Sequence, residues 1–414
     1  MKGATGFVPV SDKDPEFESG LLLEEIGGLT LILRTLLAAQ RSGCSRIVVV
    51  ADVSEETLEK LKKATADRRL RSEVEWVEFN KDSFDGDQLP GEEFVRIPAN
   101  CVFDSGTLRD LDLPRSGRAA VFGESGIVTC GEGIAGDVDP EVILDETRWR
   151  EQITQWREVG NVDEVAEPSY WHRVGSRADL KVALGKIYGS LHDNEGGLEG
   201  ILDHLISRRF SLPLTKLFAR TPLTPNLISV LGFLIGLVSL YCFTLAGYAP
   251  KLIGALLLQF SSFIDHVDGE IARLKFQQSR FGGILEMTLD QILHILLMLS
   301  IGIGVSRDLN NTVYIWLGAA CLFGALMACI FVMINQLYET RILGLVTDAH
   351  EEVVESQTRF SKLVETFGTR EFSYYLILVA ALNLLPLLLW VFAFGSQVFW
   401  LILAFFYVKE HLLK

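Results

Sequence analysis

The sequence lacks the features that would mark a stapled, nucleic-acid-binding or repetitive protein. Its six cysteines, Cys44, Cys101, Cys130, Cys242, Cys321 and Cys329, show no paired spacing. That disfavours a disulfide framework or a zinc site and fits reduced thiols. Basic residues are outnumbered, 38 against 53 acidic, which argues against a nucleic-acid partner. There is no internal repeat and no low-complexity tract. Met1-Lys2-Gly3 does not lead into the apolar core of a secretory leader, so the first 200 residues are expected to stay cytosolic.

Charge is also missing from long stretches. Residues 1–200 carry 38 acidic and 23 basic side chains and residues 201–414 carry 15 of each, so the whole net charge of −15 lies in the first half. The runs 221–250, 309–338 and 372–408 contain no charged residue at all. Each exceeds the ~20 residues that cross a bilayer as a helix, and no soluble core needs three of them. The run 372–408 is too long for one span, and Gly395-Ser396 is its expected break. Two shorter apolar stretches, 252–264 and 292–305, flank acidic residues. Six spans are therefore expected, at about 226–247, 250–275, 280–305, 312–337, 372–394 and 397–412.

An even number of spans puts both flanks on one side. Arg208, Arg209, Lys216, Arg220, Arg273, Lys275 and Arg280 then gather with Arg341, Arg359, Lys362, Arg370, Lys409 and Lys414, leaving only Lys251 and Arg307 opposite. By the positive-inside bias that side is cytoplasmic. The expected protein is multi-pass in the cell (inner) membrane, with both termini cytoplasmic.

The cytosolic half alternates expected helix 27–42, strand 46–52, helix 54–66, strand 74–79 and strand 94–98, an α/β domain with a mainly parallel sheet. Stretches 80–92 and 104–118 read as loops rich in Asp, Gly, Pro and Ser. Asp193-Asn194-Glu195-Gly196-Gly197 reads as a linker. After it, residues 199–219 interleave Ile201, Leu205, Phe210 and Leu214 with Arg208, Arg209 and Lys216, as in a helix lying in the inner interface, or a plain connecting helix. The boundaries drawn are 1–195, 196–220 and 221–414.

Four acidic residues of the second half are the informative ones: Asp265, Asp268, Glu286 and Asp290. Carboxylates in membrane helices are costly and usually functional. At 100° per residue, Asp265, Asp268, Gly269 and Ala272 share one helix face, and Gly282, Glu286 and Asp290 share a face of the next helix. A turn at Gln277-Gln278-Ser279-Arg280 levels Asp265 with Asp290 and Asp268 with Glu286. Four carboxylates at one depth must either take up protons or hold an oxygen-seeking divalent cation. Gly269 and Ala272 leave their face open to a flat ligand. His266 and His294 read as packed residues, and Trp316 and Trp400 as ordinary span residues.

The run from Asp265 to Asp290 resembles the signature of the CDP-alcohol phosphotransferases, Asp-x2-Asp-Gly-x2-Ala-Arg-x8-Gly-x3-Asp-x3-Asp. All spacings match, and Glu286 stands where the third Asp belongs. Arg220-Thr221-Pro222-Leu223-Thr224-Pro225-Asn226 resembles the family's entry to its first span. The resemblance implies transfer of a phospho-alcohol group from a CDP-alcohol to a hydroxyl acceptor, with release of CMP. It implies Mg²⁺ or Mn²⁺ on Asp265, Asp268, Glu286 and Asp290, with Asp290 accepting the proton of the attacking hydroxyl. Gly269, Ala272, Arg273, Gly282 and Asn226 would border the CDP moiety. An acceptor bearing a phosphate would meet Arg370 and Lys362. Membrane lipids and a second copy of the chain complete the expected partners.

More weakly, residues 1–190 are similar to sugar nucleotidyltransferases and cytidylyltransferases. Gly3-Ala4-Thr5-Gly6 is set against their phosphate-cradling loop, but Phe7 stands where a basic residue would be needed. Asn100 falls where the first metal Asp would, and Trp171-His172-Arg173-Val174 replaces the second acidic pattern. The domain is thus expected to be degenerate and non-catalytic; an active half and an unrelated α/β domain stay open. The fusion as a whole resembles the di-myo-inositol-phosphate-phosphate synthases, whose acceptor is an inositol phosphate. A phospholipid synthase using CDP-diacylglycerol is the alternative, and an ion-coupled transporter the remote one.

Overall fold

A computed structural model of the chain describes residues 5–12, 19–79, 93–103, 117–122, 127–131, 138, 140–165, 170–193, 201–346 and 372–411. Two compact units emerge, one of residues 1–194 with 273–277 and the other of residues 195–272 with 278–414.

The first unit opens with β1 (Thr5–Ser11), a ribbon of β2 (Glu25–Ile26) and β3 (Leu29–Thr30), and α1 (Leu31–Arg41). Then come β4 (Arg46–Asp52), α2 (Glu55–Thr65), β5 (Glu73–Glu78), β6 (Phe94–Arg96) and β7 (Cys101–Phe103). It closes with β8 (Ala119–Phe122), β9 (Val128–Cys130), α3 (Pro140–Leu144), α4 (Glu146–Val159), β10 (Val162–Val165), β11 (Trp171–Arg173) and α5 (Asp179–Asp193). Seven strands make one sheet in the order β10-β8-β9-β6-β1-β4-β5. The pairs β1–β4, β1–β6, β4–β5 and β8–β10 are parallel and those of β9 antiparallel, so the sheet is mainly parallel. The β-branched run of β4 is buried on both faces, as a central strand requires.

Local chemistry sets the ends of these elements. Ser54 accepts from Thr57 N at 3.3 Å to start α2, and Asp145 accepts from Thr147 N at 2.9 Å to start α4. Gly160, at φ 80°, closes α4 in the left-handed region. The expected helix 27–42 starts later, at Leu31, because Gly27 and Gly28 both take positive φ and turn the β2–β3 ribbon. Thr5 and Gly6, set against a phosphate-cradling loop, require a second correction, while Gly3 and Ala4 lie outside the described residues. Thr5, Gly6 and Phe7 lie inside β1, in register with Arg46, Ile47 and Val48 of β4. A strand whose amides serve a ladder cannot also cradle phosphates. The expected loops 80–92 and 104–118 lie almost wholly outside the described residues.

In the second unit α6 (Ile201–Ala219) precedes α7 (Pro225–Thr244), α8 (Tyr248–Leu274), α9 (Arg280–Leu309), α10 (Val313–Val346), α11 (Phe372–Ala381) and α12 (Leu385–His411). Among the described residues, four helical segments are long and apolar enough to cross a membrane: 225–244, 280–309, 313–332 and 385–409. Their outer surfaces are apolar, Trp316 being 74% and Phe394 75% exposed, as suits a lipid solvent better than water.

Glycines let the helices approach closely. A methyl on Gly304 would lie 1.9 Å from Phe243 O of α7, and one on Gly302 would lie 2.6 Å from Tyr314 O of α10. The expected break at Gly395-Ser396 does not occur. The helix runs through it, packed on α10 by Gln397 Nε2 donating to Ala320 O at 2.8 Å. The chain breaks instead at Asn383, which takes φ 55°, ahead of Pro386 in the first turn of α12. The first helix of this pair is consequently only ten residues long.

Candidate active site

The residues between Leu274 and Arg280 join α8 to α9 where the sequence expects the turn. Ser279 caps α9, its Oγ accepting from Gly282 N at 3.0 Å, which starts the helix that carries Glu286 and Asp290. Asp265 and Asp268 lie three residues apart on α8 and therefore on neighbouring turns of one face.

Oxygens of Asp265, Asp268 and Glu286 all lie within 4.8 Å of one another. Asp268 is 2% exposed; its Oδ2 accepts from Ser229 Oγ of α7, while its Oδ1 is buried with no hydrogen-bond partner. Three converging carboxylates, two half-buried and the third buried with an unengaged oxygen, fit an oxygen-seeking divalent cation. Asp290 is not in that group of three. It lines the same pocket as Asp265 and Glu286, and its Oδ1 lies 3.2 Å from Nδ1 of His294.

The pocket continues past the carboxylates along Ser229, Ser262, Phe233, Leu258, Leu293 and Ser373, with His294 in its wall. Hydroxyls and apolar walls alternate there. Nothing local in the sequence distinguishes Ser229 and Ser373 from other span residues, whereas His294, expected to be packed, instead stands half exposed in the pocket wall, because its ring turns back toward Asp290. His266 is packed, 6% exposed, with Nδ1 donating to Ser262 O at 2.8 Å.

Among the residues expected near a nucleotide, Asn226 and Gly282 come together: a methyl on Gly282 would stand 3.0 Å from Asn226 Oδ1. Gly269 and Ala272 are half-buried on α8, and Arg273 is half-buried in its last turn. Arg370 and Lys362 lie outside the described residues. In α6, Ser211 Oγ donates to the buried Glu270 at 2.8 Å, Thr215 Oγ1 also donates to it, and Phe210 stacks on Phe263 with centroids 5.0 Å apart.

The nucleotidyltransferase-like positions of the first unit are equally well defined. Asn100 is 4% exposed and its Nδ2 donates to Val174 O at 3.0 Å. β11 pairs with β7 so that Arg173 lies opposite Cys101. Arg173 Nη1 and Arg96 Nη2 each donate to Glu146 at 2.8 Å, and Arg96 also lies over the Trp149 ring, 4.9 Å from its centroid. Burial pushes the Glu146 carboxyl up, but Arg96 and Arg173 together outweigh it and hold its pKa below the ordinary value.

The site is thus a carboxylate cluster shared by two helices of an apolar, membrane-type bundle. Residues 222–407, in the C-terminal half of the chain, match the model of the CDP-alcohol phosphatidyltransferase family. The chain is 27% identical over 158 residues, 38% of its length and 35% of the relative's, to the bifunctional IPC transferase and DIPP synthase of Aquifex aeolicus. It is 33% identical over 89 residues, 22% of its length and 46% of the relative's, to the archaetidylinositol phosphate synthase of Pyrococcus horikoshii. The chain thus spans about a third to a half of these relatives. Among solved structures, the inositol-1-phosphate CTP transferase of T. maritima overlaps 45% of this chain and 97% of its own at 15% identity and a TM-score of 0.32.

Proposed function

We propose that the C-terminal half transfers a phospho-alcohol group from a CDP-alcohol to a hydroxyl acceptor and releases CMP. The observation that carries this reading is the convergence of Asp265, Asp268 and Glu286 within 4.8 Å, beside a pocket that Asp290 also lines. Those three carboxylates would hold Mg²⁺ or Mn²⁺, which when bound offsets the charge of the donor diphosphate and of departing CMP. Asp290, standing outside the group of three, accepts the proton of the acceptor hydroxyl as that oxygen attacks the phosphorus and the bond to CMP breaks. Gly269 and Ala272 keep the face of α8 open to the cytidine, with Asn226 and Gly282 on the facing helices and Arg273 toward the phosphates.

Both relatives' names contain an inositol unit, IPC or DIPP in one and archaetidylinositol in the other, which supports an inositol-bearing substrate. Arg370 and Lys362 are the candidates for a phosphate on the acceptor. The helices α7–α12, including the charge-bearing α8 and the short α11, are proposed to form a six-helix membrane domain of a homodimer, with the carboxylate ends and both termini on the cytoplasmic side. α6 would lie along that inner interface. The first unit is proposed to be nucleotidyltransferase-like but non-catalytic, because Asn100 is engaged with the backbone and Arg173 occupies the second acidic position.

The test is incubation of the purified full chain with Mg²⁺, a panel of CDP-alcohols including CDP-inositol and CDP-diacylglycerol, and inositol phosphates as acceptors. CMP should appear only when donor, acceptor and metal are all present. CMP formation unaffected by chelation, or none with any pair, would overturn the reading. CTP alone should give no diphosphate release.

A further inference from the structure

We infer that Ser229 is the positioning residue that presents Asp268 to the divalent cation, an inference that rests on the metal-dependent reading above. Ser229 belongs to α7, which lies in a run with no charged residue, so its contribution to the cluster must come from neutral groups. Asn226 and Ser229 are three residues apart and share one face of that helix. Ser229 is 8% exposed, and its single hydroxyl proton has two acceptors in reach, Asp268 Oδ2 and, at 3.2 Å, Pro225 O. With a cation bound, the carboxylate is the charged acceptor, so it takes the proton.

A carboxylate can turn about its last bond and exchange its two oxygens. A donor fixed on one of them removes that freedom. With Oδ2 tied to Ser229, Oδ1 is left buried and without a hydrogen-bond partner, on a residue whose carboxylate converges with those of Asp265 and Glu286. The donor's neutrality matters as much as its place. A lysine or arginine there would cancel the charge that the cation needs, whereas a hydroxyl orients the carboxylate and leaves its charge intact. The same helix is held against α8 by Ser261 Oγ donating to Gly232 O at 2.8 Å, one turn further along. The Ser229 hydroxyl is therefore delivered by a packed backbone rather than by a mobile side chain.

The experiment measures Mn²⁺ binding to the purified, detergent-solubilised full chain by electron paramagnetic resonance, alongside CMP release as a function of Mg²⁺. Ser229→Ala should weaken Mn²⁺ binding by about 10-fold or more and raise the Mg²⁺ needed for half-maximal rate, as loss of an outer partner of a ligand does. Ser229→Thr, which keeps the hydroxyl, should restore Mn²⁺ affinity. Wild-type Mn²⁺ affinity in Ser229→Ala would overturn the inference. If the alanine variant fails to fold, Ser229→Cys, which keeps the volume with a poor donor, takes its place with the same expectations. Asp268→Asn separates the two readings: wild-type Mn²⁺ binding in that variant would sink the metal cluster itself, whatever Ser229 does.

Discussion

Gly282 and Asn226 meet across α9 and α7 so closely that a side chain at 282 would press on the amide: a methyl there would stand 3.0 Å from Asn226 Oδ1 and 3.1 Å from Ser279 Oγ. Gly282→Ala should therefore raise the KM for the CDP-alcohol more than it lowers kcat, since both residues are assigned to the nucleotide side. Asn226→Ala should do the same. Because the two changes act through one contact, the double variant should be clearly less impaired than the sum of the single effects. Strict additivity in donor KM would show that the contact is not the cause.

Asp265→Asn, Asp268→Asn and Asp290→Asn should each abolish CMP release while the helical content, read by circular dichroism, is retained. Each removes one negative charge from the cluster without changing side-chain volume, and the site's own crowding of like charges means that folding loses little. A folded Asp268→Asn protein with more than about a tenth of wild-type activity would refute its assignment, because loss of a metal-holding or proton-accepting group costs ~100-fold or more.

Glu286 is where the signature has Asp, and its longer side chain still reaches the group of three. Glu286→Asp keeps the charge and should retain activity or shift the preference between Mg²⁺ and Mn²⁺. Glu286→Gln should be inactive. Activity in Glu286→Gln equal to the parent would remove this residue from the cluster.

The first unit offers a pH test. Glu146 is held low by Arg96 and Arg173, so its contribution to stability is present above its unfolded value, roughly 4.3, and is lost as pH falls through the lower folded value. Hydrogen exchange in β6 and α4 should accelerate over that acid window. In Glu146→Gln the acid step should disappear, and protection at neutral pH should fall by about 3–5 kcal/mol, the cost of breaking a buried pair. Unchanged exchange in that variant would mean that the two guanidiniums are satisfied without it.

The strand Arg46–Asp52 and the helix Glu55–Thr65 stand within a residue of the expected bounds, because β-branched density, a Ser cap and a polarised charge pattern are all local signals. Expectation failed where local signals compete. Gly395-Ser396 resembles a break, yet packing against Ala320 and Gly324 keeps the helix intact; a methyl on Gly324 would lie 2.7 Å from Ser396. Asn383 made the break instead, through one residue in the left-handed region. Thr5-Gly6 resembled part of a loop, but the strand ladder with β4 claimed them.

The sequence by itself determined that carboxylates from two consecutive helices would meet. Helical periodicity puts Asp265 with Asp268, and Glu286 with Asp290, on single faces, and a turn of fixed position levels the two faces; both effects act over a few residues. Tertiary structure alone decided how each carboxylate is used. The bond from Ser229 to Asp268 joins residues 39 positions apart, and Asp290, one turn beyond Glu286 on α9, stays outside the group of three. Those outcomes depend on how α7, α8 and α9 pack, through approaches such as Gly304 against Phe243 O, and no spacing along the chain encodes the azimuth at which one helix meets another.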